Sequence, residues 1–305
     1  MNFRFIYNKV FDFIVYLYKL YLDFTFTHFW PRKGWGKVRM FYYARTGKKL
    51  NYSNPQDLNE KLMWLERYWQ HPLKTLCTDK YEVRNYVVQQ GLGNILVPLI
   101  HVYDNVDEIN FDELPDQFVL KCNHGCDFNI FCFDKETLDR EETRRKLNQW
   151  MKIDYSKKFF EAHYHYIQPK IICEQILSET APIEYQFWCI NGQPQSILAC
   201  RKNFDGTYDS CSYSLKGIQL FDRKNETKAT LPVPLHLDLM IEYAKRLSQP
   251  FPFVRVDFYE TDGKLFFAEL TFSPSSNILF NYNENFINRM GRELMLPNKI
   301  KHYKK

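Results

Sequence analysis

The sequence has no uncharged apolar run approaching the roughly 20 residues that a spanning helix needs, so no membrane-crossing segment is expected. It has no internal repeats and no low-complexity linker, which leaves no ground for a solenoid or fibrous architecture. Strong charge of either sign is also missing. The net charge is +5 over 305 residues, acidic and basic residues alternate along most of the chain, and KIKHYKK (299–305) is the one basic cluster. That balance suits an anionic ligand or membrane surface and is too weak to argue for nucleic acid. No cleavable signal peptide is visible, so the expectation is a cytoplasmic protein whose eight cysteines are free thiols. A common zinc spacing is absent too. The tightest group, Cys122-Asn-His124-Gly-Cys126 with Cys132 beyond, reads as buried small apolar residues before it reads as a metal site.

What is present is apolar and aromatic: 45% hydrophobic, 17% aromatic, enough to bury the core of one large domain or two ordinary ones. Residues 1–30 are unusually aromatic, with charges at Arg4, Lys9, Asp12, Lys19 and Asp23. They read as an amphipathic helix that packs on the body of the protein or lies in a membrane interface. Beyond them the pattern is α+β. Helices are expected over 55–70, 78–91 (Thr78 or Asp79 capping, Gly91 stopping), 138–151, 235–248 and 283–295. Strands are expected over 94–100, in two runs of 116–134 around a glycine-bearing turn, over 170–177, and in hairpins at 183–202 and 254–271.

The last hairpin carries the chemistry. VRVDFYETDGKLFFAELTFSP sets Arg255, Asp257, Glu269 and Thr271 into apolar runs. Alternation puts Val254, Val256 and Phe258 on one face and Arg255 and Asp257 on the other. A three-residue loop, Thr261-Asp262-Gly263, brings Phe266, Ala268 and Leu270 onto the apolar face. Asp257 and Glu269 then become diagonal neighbours, roughly 7–8 Å apart. A two-residue Asp-Gly turn would put the two acids on opposite faces. Two carboxylates so close repel unless a cation lies between them; the plain alternative is an Arg255–Glu269 salt bridge with Asp257 solvated.

Two further positions stand out. Lys121 sits in a strand before a small-residue loop, a place that suits phosphate oxygens or a solvated edge. Glu174 interrupts the apolar run KIICEQIL. It needs a partner, which is either a ribose hydroxyl, with the Gln175–Leu177 backbone at an adenine edge, or a cation such as Lys170 or an arginine.

In chain order, DKYEVR, FVLKCNHG, CEQIL, EYQFWCINGQP and RVDFY resemble the TupA-like family of the ATP-grasp superfamily over residues 56–297. The resemblance implies an ATP-grasp fold: two α+β subdomains, 56–167 and 168–297, clasping ATP, flanked by an aromatic segment (1–55) and a basic tail (298–305). It implies Lys80 and Lys121 on the ATP phosphates, with the His124–Gly125 loop closing over them. Glu174, Gln175 and Leu177 would lie at the nucleoside, and Asp257 and Glu269 on Mg²⁺. Arg255 would face the phosphoryl or acyl-phosphate oxygens, with Arg201 and Lys202 as further anion-binding positions. The sequence departs from the pattern twice: Thr271 stands where an asparagine ligand is common, and Gln186 where relatives carry lysine. The implied reaction joins a carboxylate to an amine through an acyl phosphate, the carboxylate belonging to a uronic acid or an amino acid of a bacterial surface glycan or its precursor. Residues 1–30 would suit a lipid-linked acceptor at the inner membrane face. The alternatives are a nucleotide-sugar transferase of polysaccharide assembly and a non-catalytic nucleotide-binding module.

Overall fold

The computed structural model describes residues 35–159, 161–203, 207–224, 226 and 231–300. The expectations for residues 1–30 and for most of the basic tail lie outside them. The chain divides into two compact units, Met1–Leu50 and Asn51–Lys305. In the first, helix α1 (Trp35–Thr46) stops where Gly47 takes φ +69°.

The second unit opens with α2 (Leu58–Tyr68), capped by Asp57, whose side chain accepts from the Glu60 N–H. A short helix that the sequence reading missed, α3 (Pro72–Thr78), follows, with Pro72 at its first turn and the His71 side chain accepting from the Leu73 N–H. Thr78 therefore ends a helix instead of starting one. Asp79 accepts from the Tyr81 and Glu82 N–H groups at 2.8 and 3.3 Å, shaping a turn, and α4 (Val83–Gln89) begins beyond it. Gly91, at φ +74°, stops α4 as expected.

A first, antiparallel sheet has the order β1-β4-β2-β3: β1 (Leu99–Tyr103), β2 (Phe118–Cys122), β3 (Asn129–Cys132) and β4 (Ile171–Glu174). β1 starts several residues later than expected because Gly93–Ile95 forms a 3₁₀ turn. β4 pairs with both β1 and β2, so this sheet extends past the boundary drawn at residue 168. Phe118, Leu120, Cys122, Ile171 and Cys173 face its core with Leu147 of α5 (Arg140–Met151). A short helix, α6 (Ser156–Phe159), follows α5.

The second sheet is also antiparallel, in the order β10-β9-β5-β6-β7-β8. β5 (Ile183–Ile190) and β6 (Gln193–Lys202) are joined at Asn191-Gly192, both at positive φ. β7 (Tyr208–Tyr213) and β8 (Gln219–Leu220) extend the edge, and β9 (Phe253–Thr261) and β10 (Lys264–Thr271) form the other margin. One face carries Tyr185, Phe187, Val254, Val256 and Phe258, all buried, against α7 (Leu237–Ser248). Trp188, on the opposite face, packs its ring edge-on to Tyr282 and to Phe286 of α8 (Glu284–Glu293). α8 lies so close to α2 that a Cβ on Gly291 would come within 2.8 Å of the Asp57 and Leu58 backbone. Among the described residues no helix is long and apolar enough to cross a membrane.

Candidate active site

The two sheets flank a cleft of about 570 Å³. The turn before α4 contributes Lys80; the first sheet and its β2–β3 loop contribute Lys121, Cys126, Asp127 and Asn129; the segment after β4 contributes Gln175 to Ser178; the second sheet contributes Glu184, Gln186, Cys200, Lys202, Tyr208, Tyr259 and Glu269. A smaller cavity of about 90 Å³ opens between Lys80, Arg84, Lys121, Glu174 and Glu269.

The acid hairpin differs from the expectation in register. Thr261 pairs with Lys264, so the loop is the two-residue Asp262-Gly263, both at positive φ, as a type I′ turn requires. With unbroken pairing, that turn would send Asp257 and Glu269 to opposite faces. A bulge at Ala268 inserts one extra residue and restores the parity. Leu265, Phe267 and Leu270 thereby take the buried face, in place of the expected Phe266, Ala268 and Leu270. Glu269 lies directly opposite Asp257, not diagonal to it, and Thr271 lies opposite Arg255.

These four side chains form one network. Arg255 holds Asp257 with Nε donating to Oδ1 at 2.8 Å and to Oδ2 at 3.0 Å, and Nη2 donating to Oδ2 at 2.6 Å. The same Nη2 reaches Thr271 Oγ1 at 3.1 Å and Glu269 Oε1 at 3.4 Å. Thr271 in turn donates to Glu269 at 2.7 Å. The plain alternative of an Arg255–Glu269 pair is thus part of the arrangement, but Asp257 is fully buried, not solvated. A third carboxylate, Glu184 of β5, faces the cluster from the neighbouring strand and accepts from the Gln186 amide at 2.5 Å. Burial raises the pKa of Asp257, with Glu184 and Glu269 adding to it against Arg255. Burial likewise raises Glu184. Burial also acts upward on Glu269, but Lys80 and Arg255 outweigh it and hold that carboxyl below its ordinary value. Three acids thus share one guanidinium. The oxygens of Asp257, Glu269 and Thr271 converge on a single positively charged nitrogen, a donor set that fits a hard divalent cation such as Mg²⁺.

The cations on the first-sheet side of the cleft are already engaged. Lys121 and Arg84 bind the two oxygens of Glu174 at 2.8 and 2.9 Å, and Lys170 pairs with Asp104 instead. Glu174 therefore takes the ion-pair alternative, with Arg84 as the arginine. The Gln175 N–H donates to Pro98 O, while the Gln175 and Leu177 side chains line the cleft. Lys80 Nζ donates to Gly125 O at 2.5 Å. His124 departs from the expectation of a phosphate-covering loop residue: its ring is buried and Nε2 lies 3.1 Å from Trp150 O, with burial lowering its pKa. Gly125 is packed so tightly that a Cβ would meet Phe128 at 2.5 Å and Tyr155 at 2.9 Å. Arg201 is the other correction. Strand alternation turns Lys202 into the cleft and Arg201 to the opposite face, beside Tyr185, where its Nε has no hydrogen-bond partner.

Asn123 is a positioning residue that the sequence reading passed over. Fully buried, it donates to Asp79 Oδ1 and Gln168 O and accepts from the Lys170 N–H, while its carbonyl accepts from the Lys80 N–H. It thus ties the turn bearing Lys80 to the β2–β3 loop. Arg84 was also missed; its only sequence signal is its place one helical turn beyond Lys80.

Compared with known proteins, residues 60–295 match the family model described as TupA-like ATPgrasp, and the chain belongs to that family. Its fold is the ATP-grasp fold. Among solved structures the chain is similar to D-alanine–D-alanine ligase from Helicobacter pylori (13% identity, 78% of this chain and 69% of that one, TM-score 0.43). It is similar also to the Bacillus anthracis enzyme of that name (15%, 72% and 67%, TM-score 0.41). An L-amino acid ligase from Bacillus licheniformis follows at 14% identity, with 77% of this chain and 51% of that one covered and a TM-score of 0.42. No curated protein matches the chain.

Proposed function

We propose that this chain joins a carboxylate to an amine at the expense of ATP, acting on an acidic sugar, or an amino acid, of a bacterial surface glycan or its precursor. The observation that carries this reading is the convergence of Lys80, Lys121, Lys202 and Glu269 on one cleft, with Glu269 joined behind the cleft wall to Arg255 and Thr271, and through Arg255 to Asp257. Lys80 and Lys121 bind the ATP phosphates, and Gln175 and Leu177 border the base. Glu174 orients Lys121 through their ion pair. Asp257, Glu269 and Thr271 would hold Mg²⁺, which would supply positive charge to the phosphate oxygens. Arg255 supplies positive charge toward the oxygens of the transferred phosphoryl group. Lys202 adds positive charge at the rim, and Arg201 takes no part.

The chemistry has two steps. A substrate carboxylate oxygen attacks the γ-phosphorus, the bond to the β–γ bridging oxygen breaks, and an acyl phosphate and ADP form. The amine nitrogen then attacks the acyl carbon, phosphate leaves, and loss of a proton from nitrogen gives the amide. Residues 1–30, aromatic and mildly basic, bring the enzyme to lipid-linked acceptors at the inner membrane face; deleting them shifts the protein from the membrane to the soluble fraction, and unchanged fractionation argues against that part.

The deciding experiment is ADP release with a panel of uronic acids and amines, comparing wild type with Asp257→Asn and Glu269→Gln. Both variants should lose at least about 100-fold of turnover, the scale of removing one transition-state contact. Normal turnover in both sinks the metal assignment, and consumption of a nucleotide sugar without ADP formation favours the transferase alternative.

A further inference from the structure

On the acid-bearing face of the second sheet, two strands beyond Glu184, lies an arginine that the nucleotide chemistry does not use. Glu184 pairs with Cys200 of β6, and Cys200 with Ser210 of β7. Ser210 accepts a hydrogen bond from Arg223. The Arg223 guanidinium is half-buried and forms no ion pair with a carboxylate among the described residues. It lies 5.5 Å from the ring centre of Tyr208 and 5.9 Å from that of Tyr282. Tyr208 is 49% exposed and lines the cleft. Tyr282 is buried and packs edge-on against Trp188, the strand partner of Arg255. At about 4.8 Å per strand, β7 runs about 14 Å from β9. The two arginines are thus separate charges on one surface, with an exposed aromatic ring beside the outer one.

We propose that Arg223 and Tyr208 form the acceptor subsite of this ligase. The substrate class is a sugar-ring acid bearing a second anionic group: the ring lies on Tyr208, the second anion pairs with Arg223, and the reacting carboxylate reaches Arg255. A partly exposed guanidinium with no carboxylate beside it is suited to pairing with an arriving anion. Sugar rings present apolar faces that stack on aromatic side chains. The second anion can be a carboxylate of a neighbouring uronate or a phosphate at the anomeric carbon. This inference rests on the ligase reading above.

The test is calorimetric binding to the full chain in the presence of Mg²⁺ and a non-hydrolysable ATP analogue. Three acceptors are compared: glucuronate, glucuronate 1-phosphate and digalacturonate. Wild type should hold at least one of the two dianionic acceptors about tenfold or more tighter than glucuronate, and which one is preferred identifies the second anion. Arg223→Gln should erase that preference, weakening the dianion roughly 10–100-fold, the range of a lost charge-assisted bond, with little change for glucuronate. Tyr208→Leu should weaken all acceptors alike, and Tyr208→Phe should not. The ATP analogue should bind each variant as it binds wild type, which also reports an intact fold. A wild type that binds none of the three, or binds them without preference, overturns the subsite, as does an Arg223→Gln variant that keeps the preference. Failure of the wild type to bind the ATP analogue overturns the ligase reading itself.

Discussion

Replacing Arg255 by methionine leaves Asp257 fully buried and without its bidentate partner. The wild-type bonds measure 2.8 and 2.6 Å, Arg255 keeps only 14% of its side chain exposed, and Asp257 none. What remains near Asp257 is the Thr271 hydroxyl at 3.3 Å and the carboxylates of Glu184 and Glu269. Breaking a buried ion pair from one side costs about 3–5 kcal/mol. In a unit of this size, each kcal/mol is worth about 2 °C, so the melting temperature should fall by roughly 6–10 °C. The sign of the pH dependence follows from the raised pKa of Asp257. A carboxyl whose pKa is higher folded than unfolded contributes stability fully below its unfolded value of about 4, and that contribution is lost as pH rises through the folded value. Removing Arg255 lifts the folded value further. The deficit of the variant should therefore be small near pH 4 and grow until the pH exceeds its new pKa. Urea unfolding of ligand-free protein at pH 5 and pH 8 measures this directly. Adding Asp257→Asn to the variant removes the unpaired charge and should recover most of the pH 8 deficit. Equal deficits at the two pH values, or no recovery in the double variant, refute the reasoning.

Lys121→Met should raise the KM for ATP roughly 10–100-fold through one lost charge-assisted contact and leave folding nearly intact, because Arg84 still pairs with Glu174; an unchanged KM removes Lys121 from the phosphate site. Gly125→Ala should displace Phe128 and Tyr155, costing about 1–3 kcal/mol and raising the KM for ATP as the loop shifts; wild-type kinetics would show that the loop does not cover nucleotide. Gly291→Ala should cost a similar amount in urea unfolding by driving α8 off α2, with kinetics unchanged in the folded fraction. Burial and Lys74 depress His163 to about 4, so stability should be full above about 6.5 and decline as pH falls toward 4, by about 3 kcal/mol in all. His163→Gln should flatten that limb of a pH–stability curve, and an unaltered limb would assign it to other groups.

Much of the fold was legible because its signals are local. The Asp57 cap of α2, the Gly91 stop of α4, the Asn191-Gly192 turn and the alternation along β5, β6 and β9 each depend on a few adjacent residues. α3 was missed because PLKTLCT is too short to display a helical period. β7 and β8 were missed because their polar residues give no clean apolar alternation. Of the candidate site, the acids and lysines were singled out by residue type and order along the chain. Their partners were not, since Arg84 and Glu174 are far apart in sequence and meet only through the packing of α4 against the first sheet.

Alternation alone determined that Arg255 and Asp257 share a strand face and that Arg201 and Lys202 do not, because successive strand residues point oppositely whatever surrounds them. Whether Glu269 joins that face depended on one extra residue at Ala268, and a bulge is stabilised by the partner strand and by burial of Leu265, Phe267 and Leu270, which no local pattern encodes. The same holds for His124, drawn inward by a carbonyl of α5, and for Glu174, claimed by two cations. Local sequence sets where a side chain can point; burial and the charges brought beside it by distant segments decide what it does there.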